Sequence, residues 1–162
     1  MNQLTFDDDF DDPGWTLAEA RDWVLDQLDD GITCPCCGQH AQRYRWTLYR
    51  SAIDLLLNFY RVGGVTRFVE SREVKGKTQG SASHLAFWDL VEEENKRRPD
   101  GGKSGWWRVT PFGESFILDG ASIRKYAYVY NREVERFDGP YVTISDRLGY
   151  PFNWRDHMNR LD

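Results

Sequence analysis

The sequence predicts an α+β fold, and three patterns indicate it. Apolar residues recur at helical spacing over residues 16–29 and again over about 46–62. The segment Ile123–Tyr130 is rich in β-branched and aromatic residues, which is typical of a strand. Turns that contain glycine or proline separate these segments, so the chain is expected to combine helices with short strands.

The first helix is predicted over residues 16–29, after a flexible acidic lead formed by residues 1–14. Thr16 and Glu19 have the spacing of a capping box, in which each residue satisfies a backbone amide of the other. The apolar residues that follow favour an amphipathic helix.

The middle of the chain is predicted to hold two further helices and two short strands. The helices are expected over 46–62, where two glycines end the first, and over 84–94, where Ser83 caps the second. The strands are expected near 65–69 and over 106–110. A charged, glycine-rich segment lies between the last helix and the last strand.

After the predicted strand Ile123–Tyr130, residues 131–140 are expected to form a turn-rich connection. A further strand is predicted over 141–145, with Ser145 as the cap of a short helix. Residues 153–161 are expected to add one or two helical turns.

The charge is unevenly distributed. The chain has a net charge of −5. Residues 1–30 contain ten acidic residues and one arginine, whereas residues 41–110 contain thirteen basic and eight acidic residues. The middle of the chain is therefore suited to face a polyanion, while the N-terminal segment would repel one.

The stretch HLAFWDLVEEENKRRPDGGKSGWWRVTPFGESFIL resembles the second half of a MarR-like winged helix. In such domains a recognition helix ends in a Leu-Val step, here Leu90-Val91. A polar wing follows, here 95–105, and the next strand ends in Thr-x-x-Gly, here Thr110 and Gly113. The resemblance implies an α+β fold with a winged helix-turn-helix core, an N-terminal helix, a cysteine turn and a small C-terminal β-containing extension. The CPCCGQ turn followed by this pattern also resembles uncharacterised phage and bacterial proteins.

This resemblance implies nucleic-acid binding, as in a phage-type transcriptional regulator. The recognition helix would meet DNA at its start, and basic side chains would contact phosphates, which give affinity and register but no sequence information. The implied contact residues are Lys75, Lys77, Ser83, His84, Lys96, Arg97, Arg98 and Lys103.

An alternative function is a protein-binding adaptor or inhibitor on the same scaffold. Helices that contact bases usually present Arg, Lys, Asn or Gln. The predicted helix 84–94 instead presents Asp89, Glu92, Glu93 and Glu94. In this alternative those acids and the acidic lead contact a basic partner protein.

The three cysteines lie in one turn, CPCCGQH, and are candidate metal ligands. Cys34 and Cys37 are three residues apart, Gly38 follows, and His40 is a candidate third ligand for zinc. A tight turn with buried thiols is the structural alternative. The Cys-Pro-x-Cys form is also found at thioredoxin-like redox sites, but those follow a strand and precede a helix.

The sequence contains no phosphate-binding glycine loop and no Gly-x-Ser-x-Gly elbow, so no enzyme is predicted. No apolar run reaches the roughly 20 residues that span a bilayer, and the expected location is cytoplasmic. A homodimer is a further expectation from the family. The predicted division is an acidic lead (1–14), a helix with the cysteine turn (15–45), a winged-helix core (46–118) and a C-terminal extension packed on the core (119–162).

Overall fold

The computed structural model describes residues 14–74, 81–96, 99 and 104–161. Residues 1–13 of the predicted acidic lead lie outside this part of the chain. The described residues form two compact units that divide between Tyr44 and Arg45. Helices and three small antiparallel sheets make up the fold, which confirms the α+β class. No helix within the described ranges is long and apolar enough to cross a membrane.

The first unit contains a helix and a small hairpin. Helix α1 spans Leu17–Asp26, and the predicted capping box is confirmed because Thr16 and Glu19 bind each other's backbone amides. Strands β1 (Ile32–Thr33) and β2 (His40–Ala41) pair antiparallel. The cysteine turn joins these two strands.

The second unit contains the remaining helices and strands. The helices are α2 (Arg50–Gly63), α3 (Ser71–Val74), α4 (Ala82–Ala86), α5 (Pro111–Leu118), α6 (Ile144–Leu148) and α7 (Trp154–Asn159). The strands are β3 (Tyr44–Thr47, of which the first residue belongs to the first unit), β4 (Val69–Glu70), β5 (Val91–Glu93), β6 (Trp106–Val109), β7 (Ile123–Tyr130) and β8 (Glu133–Val142).

These strands form two three-stranded sheets. In one sheet β6 is central, with β4 and β5 on either side, and both pairings are antiparallel. In the other sheet β7 is central, between β3 and β8. One apolar core lies between the elements of this unit, and its largest fully buried side chains include Leu48, Ile53, Leu56, Phe59, Leu85, Leu90, Val109 and Phe116. The same core takes in Val129, Val142 and Leu148 from the C-terminal elements.

The helix predicted over 46–62 begins later than expected. Trp46 lies in β3, and the backbone amide of Leu48 donates to the carbonyl of Lys125, 3.1 Å away. Because this segment extends the sheet edge, the helix begins only at Arg50, after an extended Tyr49. Its predicted end is confirmed, since Gly64 follows the last turn with a positive φ.

The prediction of one helix over 84–94 is wrong. Helix α4 follows Ser81, so Ser83 lies inside the helix and does not cap it. Asp89 has a φ of +55°, which ends the helical conformation. Val91 and the residues after it pair with β6, and this strand pairing overrides the helical spacing of the apolar residues.

The turn-rich connection predicted over 131–140 is also wrong. Asn131 and Arg132 both have positive φ and form a tight turn that reverses the chain. β8 then runs for ten residues along β7, with two irregularities in the pairing. The cap of α6 is Thr143, whose capping-box partner is Asp146, and Ser145 lies within the helix.

Helices α2 and α5 are joined by a hydrogen bond with a pH-dependent consequence. The Tyr60 hydroxyl donates to Glu114 Oε1 over 2.7 Å, and the ring packs edge-on against Trp154. Burial, and then this carboxylate, raise the pKa of Tyr60 to about 12.

We therefore expect one tyrosine to ionise only near pH 12 in the folded protein. Because the pKa of Tyr60 in the folded protein lies above the ordinary tyrosine value of about 10, the stabilisation is present below pH 10 and is lost as the pH rises towards 12. Ultraviolet difference absorbance should record this late step, and Tyr60→Phe should remove it. A variant that keeps the late step would contradict the assignment.

Candidate nucleic-acid interface

The hairpin formed by β5 and β6 holds most of the acids that the sequence places near the predicted interface. Glu92 lies directly opposite Arg108, and Arg108 Nε is 2.5 Å from Glu92 Oε1. The Arg108 guanidinium also lies 4.6 Å from the centre of the Phe68 ring. Glu92 is therefore a strand residue paired with a base, not an acid on a groove-facing helix.

The next two acids close the base of the loop that joins these strands. Glu93 Oε1 accepts a hydrogen bond of 3.3 Å from the backbone amide of Gly105. Glu94 forms an ion pair of 3.0 Å with Lys96, and its carbonyl accepts from the Ser104 hydroxyl at 3.1 Å. These contacts fix both ends of the loop, so the acids serve the hairpin itself.

The Thr-x-x-Gly residues connect this hairpin to α5 through hydrogen bonds and close packing. Thr110 is buried, and its hydroxyl donates to the carbonyl of Asp89 while accepting from the amide of Gly113 at 2.9 Å. The Thr110 amide donates to the carbonyl of Leu90 over 3.1 Å. Because Gly113 has no Cβ, α5 can approach the Leu90 carbonyl closely. The threonine thus caps α5 and holds the positive-φ turn after α4.

Ser83 and His84, the two residues of α4 that were predicted to face a DNA groove, have different surroundings. The Ser83 hydroxyl is hydrogen-bonded to the Ser81 hydroxyl at 2.6 Å. The His84 ring packs against Trp46 at a tilt of 36°, with centroids 3.9 Å apart, and is stacked beside Phe87 with centroids 5.9 Å apart. Burial lowers the pKa of His84, so the neutral ring is favoured. His84 thus packs within an aromatic cluster.

Most of the predicted phosphate contacts lie outside the described residues: Lys75, Lys77, Arg97, Arg98 and Lys103. Lys96 is described and is exposed at the start of the loop between β5 and β6, where it pairs with Glu94. By sequence, Arg97, Arg98 and Lys103 belong to the same loop.

The sheet of β3, β7 and β8 carries a set of arginine–tyrosine pairs that the sequence analysis did not identify. Guanidinium groups lie over tyrosine rings at 3.9–4.9 Å from the ring centres. The pairs are Arg45 with Tyr126, Arg124 with Tyr141 and Arg136 with Tyr128. The signal was present in the alternation of Arg124, Tyr126 and Tyr128 along β7, but the partners come from β3 and β8. Arg124 also donates from Nη1 to the carbonyl of Gly139 over 2.7 Å.

The cysteine turn in the first unit is closed by backbone hydrogen bonds. The amide of Cys34 donates to the carbonyl of Gln39 over 2.8 Å, and the amide of Gly38 donates to the carbonyl of Cys34 over 2.9 Å. Gly38 has a φ of +68°, a conformation that favours glycine. The tight turn predicted from the sequence is confirmed, but the prediction that its thiols are buried is wrong, since Cys36 and Cys37 are exposed and Cys34 is only half-buried.

Within this turn the Cys34 thiol is surrounded by hydrogen-bonding neighbours. Backbone amides of Cys36 and then Cys37 donate to it, and these hydrogen bonds lower the pKa of the Cys34 thiol. A side-chain hydrogen bond also joins Cys34 and Cys37. The His40 ring is placed against Gly31 and within 3.3 Å of Gln42 Oε1. In the described ranges, no three His, Cys, Asp or Glu side chains are grouped so that they could hold a metal.

Comparison of the chain with protein-family models, with curated proteins and with solved structures gives no match.

Proposed function

We propose that the second unit contains a winged-helix domain that binds double-stranded DNA. The observation that carries this proposal is the order of elements α2, β4, α3, α4, β5 and β6 together with the sheet order β4-β6-β5. A winged helix has this sequence of helices and strands, with the last strand of the wing hairpin in the centre of a small antiparallel sheet. Helix α4 then occupies the place of the recognition helix, and the loop between β5 and β6 is the wing.

The distribution of charge supports DNA rather than a basic protein as the ligand. The acids that opposed DNA binding in the sequence are not on α4, whose residues are Ala82–Ala86. Glu92 and Glu94 are paired with Arg108 and Lys96. By sequence the wing also contains Arg97, Arg98 and Lys103, which are suited to contact phosphate oxygens. In this proposal α4 enters the major groove and the wing holds the backbone.

Replacing Arg97, Arg98 and Lys103 by alanine is the test of this function. We expect weaker binding to every duplex sequence alike, because phosphate contacts carry no sequence information. The slope of log affinity against log salt should fall by about 3, since each lost phosphate contact releases roughly one counterion fewer. Fluorescence anisotropy with labelled random-sequence duplexes over about 50–200 mM salt measures both quantities.

A matched control removes the same charge elsewhere. Arg21, Arg61 and Arg155 are exposed on α1, α2 and α7, and their triple alanine variant should bind duplex DNA as the unmodified protein does. A second comparison replaces Arg45, Arg124 and Arg136 by alanine. Weaker duplex binding in this variant would show that the arginine–tyrosine pairs of the sheet contact DNA. Equal affinity and equal salt slope in the wing variant and the unmodified protein would rule out the wing as the DNA contact.

The alternative function, a protein-binding adaptor or inhibitor, now depends mainly on the acidic N-terminal segment. Residues 1–30 contain ten acids and one arginine, which suits a basic partner. Affinity capture of a protein partner that is lost when these acids are replaced by Asn and Gln, without any duplex binding, favours this alternative. Duplex binding with no captured partner favours the winged helix.

A further inference from the structure

We propose that the Cys34–Cys37 turn is one half of a tetrahedral zinc site and that a second copy of this chain supplies the other half. The site would then hold four thiolates, two from each copy, and zinc would bridge the dimer. This inference concerns the first unit and does not depend on DNA binding by the second.

The turn has the geometry that two thiolate ligands need. Two backbone hydrogen bonds close the turn: the Cys34 amide donates to the carbonyl of Gln39, and the Gly38 amide donates to the carbonyl of Cys34. The ends of the turn are held by β1 and β2, in which Thr33 pairs with His40. Amides from Cys36 and Cys37 donate to the Cys34 sulfur, as expected where the backbone stabilises a metal-bound thiolate. Cys37 follows Cys34 by three residues, the spacing at which two thiolates bind one tetrahedral ion, and both the Cys37 and the Cys36 side chains are hydrogen-bonded to the Cys34 thiol.

The same chain does not supply the other two zinc ligands. Structural zinc sites take four ligands from cysteine and histidine. The 162 residues contain three cysteines and three histidines, and none of these lies in a segment outside the described ranges. His40 is hydrogen-bonded to Gln42, His84 packs against Trp46, and His157 lies beside two aromatic rings of the second unit. Because no three such side chains are grouped around one point in the described part of the chain, the Cys34 and Cys37 pair leaves two ligand positions for another molecule.

The position of the turn suits a symmetric contact. Cys36 and Cys37 are exposed and Cys34 is half-exposed at the end of a two-residue hairpin. A twofold axis through the metal would let each copy present the same Cys34 and Cys37 pair, which is the isologous contact typical of homodimers. Zinc binding would displace the thiol protons into the buffer and leave a Zn²⁺ bound by four thiolates.

The test uses the full chain, freed of metal by a chelator, kept reduced with a phosphine and then titrated with zinc. We expect saturation at one zinc per two chains, and a molar mass by light scattering that rises from 19.0 kDa to twice that value. Cobalt in place of zinc should give the visible absorption bands of a tetrahedral tetrathiolate site. Chelator should return the protein to the monomer.

The three cysteines provide matched variants. Cys34→Ser and Cys37→Ser should each abolish the stoichiometric zinc, the cobalt spectrum and the dimer, whereas Cys36→Ser should retain all three. Circular dichroism checks that every variant is folded. One zinc per chain on a monomer, no zinc binding, or equal losses in the Cys36 variant would each overturn the proposal.

Discussion

Replacing Gly113 by alanine is expected to lower the free energy of unfolding by about 3 kcal/mol, near the upper end for an overpacked core position. A Cβ at this position would lie 2.1 Å from the carbonyl oxygen of Leu90 and 2.9 Å from Val109 Cγ1. The first of these atoms belongs to the backbone and cannot move aside by a rotamer change. Helix α5 would have to retreat from the hairpin, which would break the hydrogen bonds of Thr110. Thermal unfolding should shift downwards by roughly 6–12 °C for a chain of this size.

Gly120→Ala is the control for this experiment. Gly120 has a φ of +69° and no atom within 4 Å of the added Cβ, so its cost is only backbone strain of about 1 kcal/mol. Both variants are compared by chemical denaturation followed by circular dichroism. Losses of the same size in the two variants would show that close packing against Leu90 is not what the glycine provides.

This motif illustrates how much of the fold the sequence could predict. Thr110 and Gly113 were recognisable as a pair from their spacing after a predicted wing, but the spacing did not reveal what they do. Their roles depend on Asp89 and Leu90, about 20 residues earlier in the chain. Elements that depend on local contacts, such as the Thr16–Glu19 capping box and the strand Ile123–Tyr130, were predicted correctly because their causes lie within a few residues.

The errors occurred where pairing between distant segments competes with local preference. Leu85, Trp88 and Val91 have helical spacing, and short apolar runs do not distinguish a helix from a strand. Val91 pairs with Val109 because β6 lies beside it, and that partner is 18 positions away. β8 was missed for a similar reason, since Gly139 and Pro140 are typical of turns. In the structure Gly139 sits against the Tyr126 ring, where a side chain would not fit.

For the candidate nucleic-acid interface, the sequence identified the basic residues but not how the neighbouring acids are paired. The basic residues of the wing could be identified directly from the sequence. The acids beside them were assigned to the wrong secondary structure, so their pairing with Arg108 and Lys96 could not be anticipated. The cysteine turn was predictable as a turn because Pro35 and Gly38 determine it locally. The surroundings of His40 were not predictable, since they involve Gly31 from the connection between α1 and β1.

Replacing Trp88 by alanine is expected to cost about 4 kcal/mol of unfolding free energy, the range measured for large aromatic side chains in cores. Trp88 is only 4% exposed, and its indole nitrogen donates to the carbonyl of Arg124 over 2.7 Å. Arg124 lies in β7 beside an irregularity in the pairing with β8. One side chain therefore ties the turn after α4 to the C-terminal sheet, and its loss removes both packing and a hydrogen bond.

Trp88→Phe separates these two contributions. Phenylalanine retains much of the apolar contact but leaves the Arg124 carbonyl without its donor, so the expected cost is about 2 kcal/mol. Amide hydrogen exchange should then quicken first in β7 and β8, because their link to the hairpin of β5 and β6 is weakened while α2 keeps its own core contacts. If Trp88→Ala costs less than about 1 kcal/mol, or if exchange quickens equally throughout the second unit, then Trp88 does not join the C-terminal sheet to the proposed winged-helix domain.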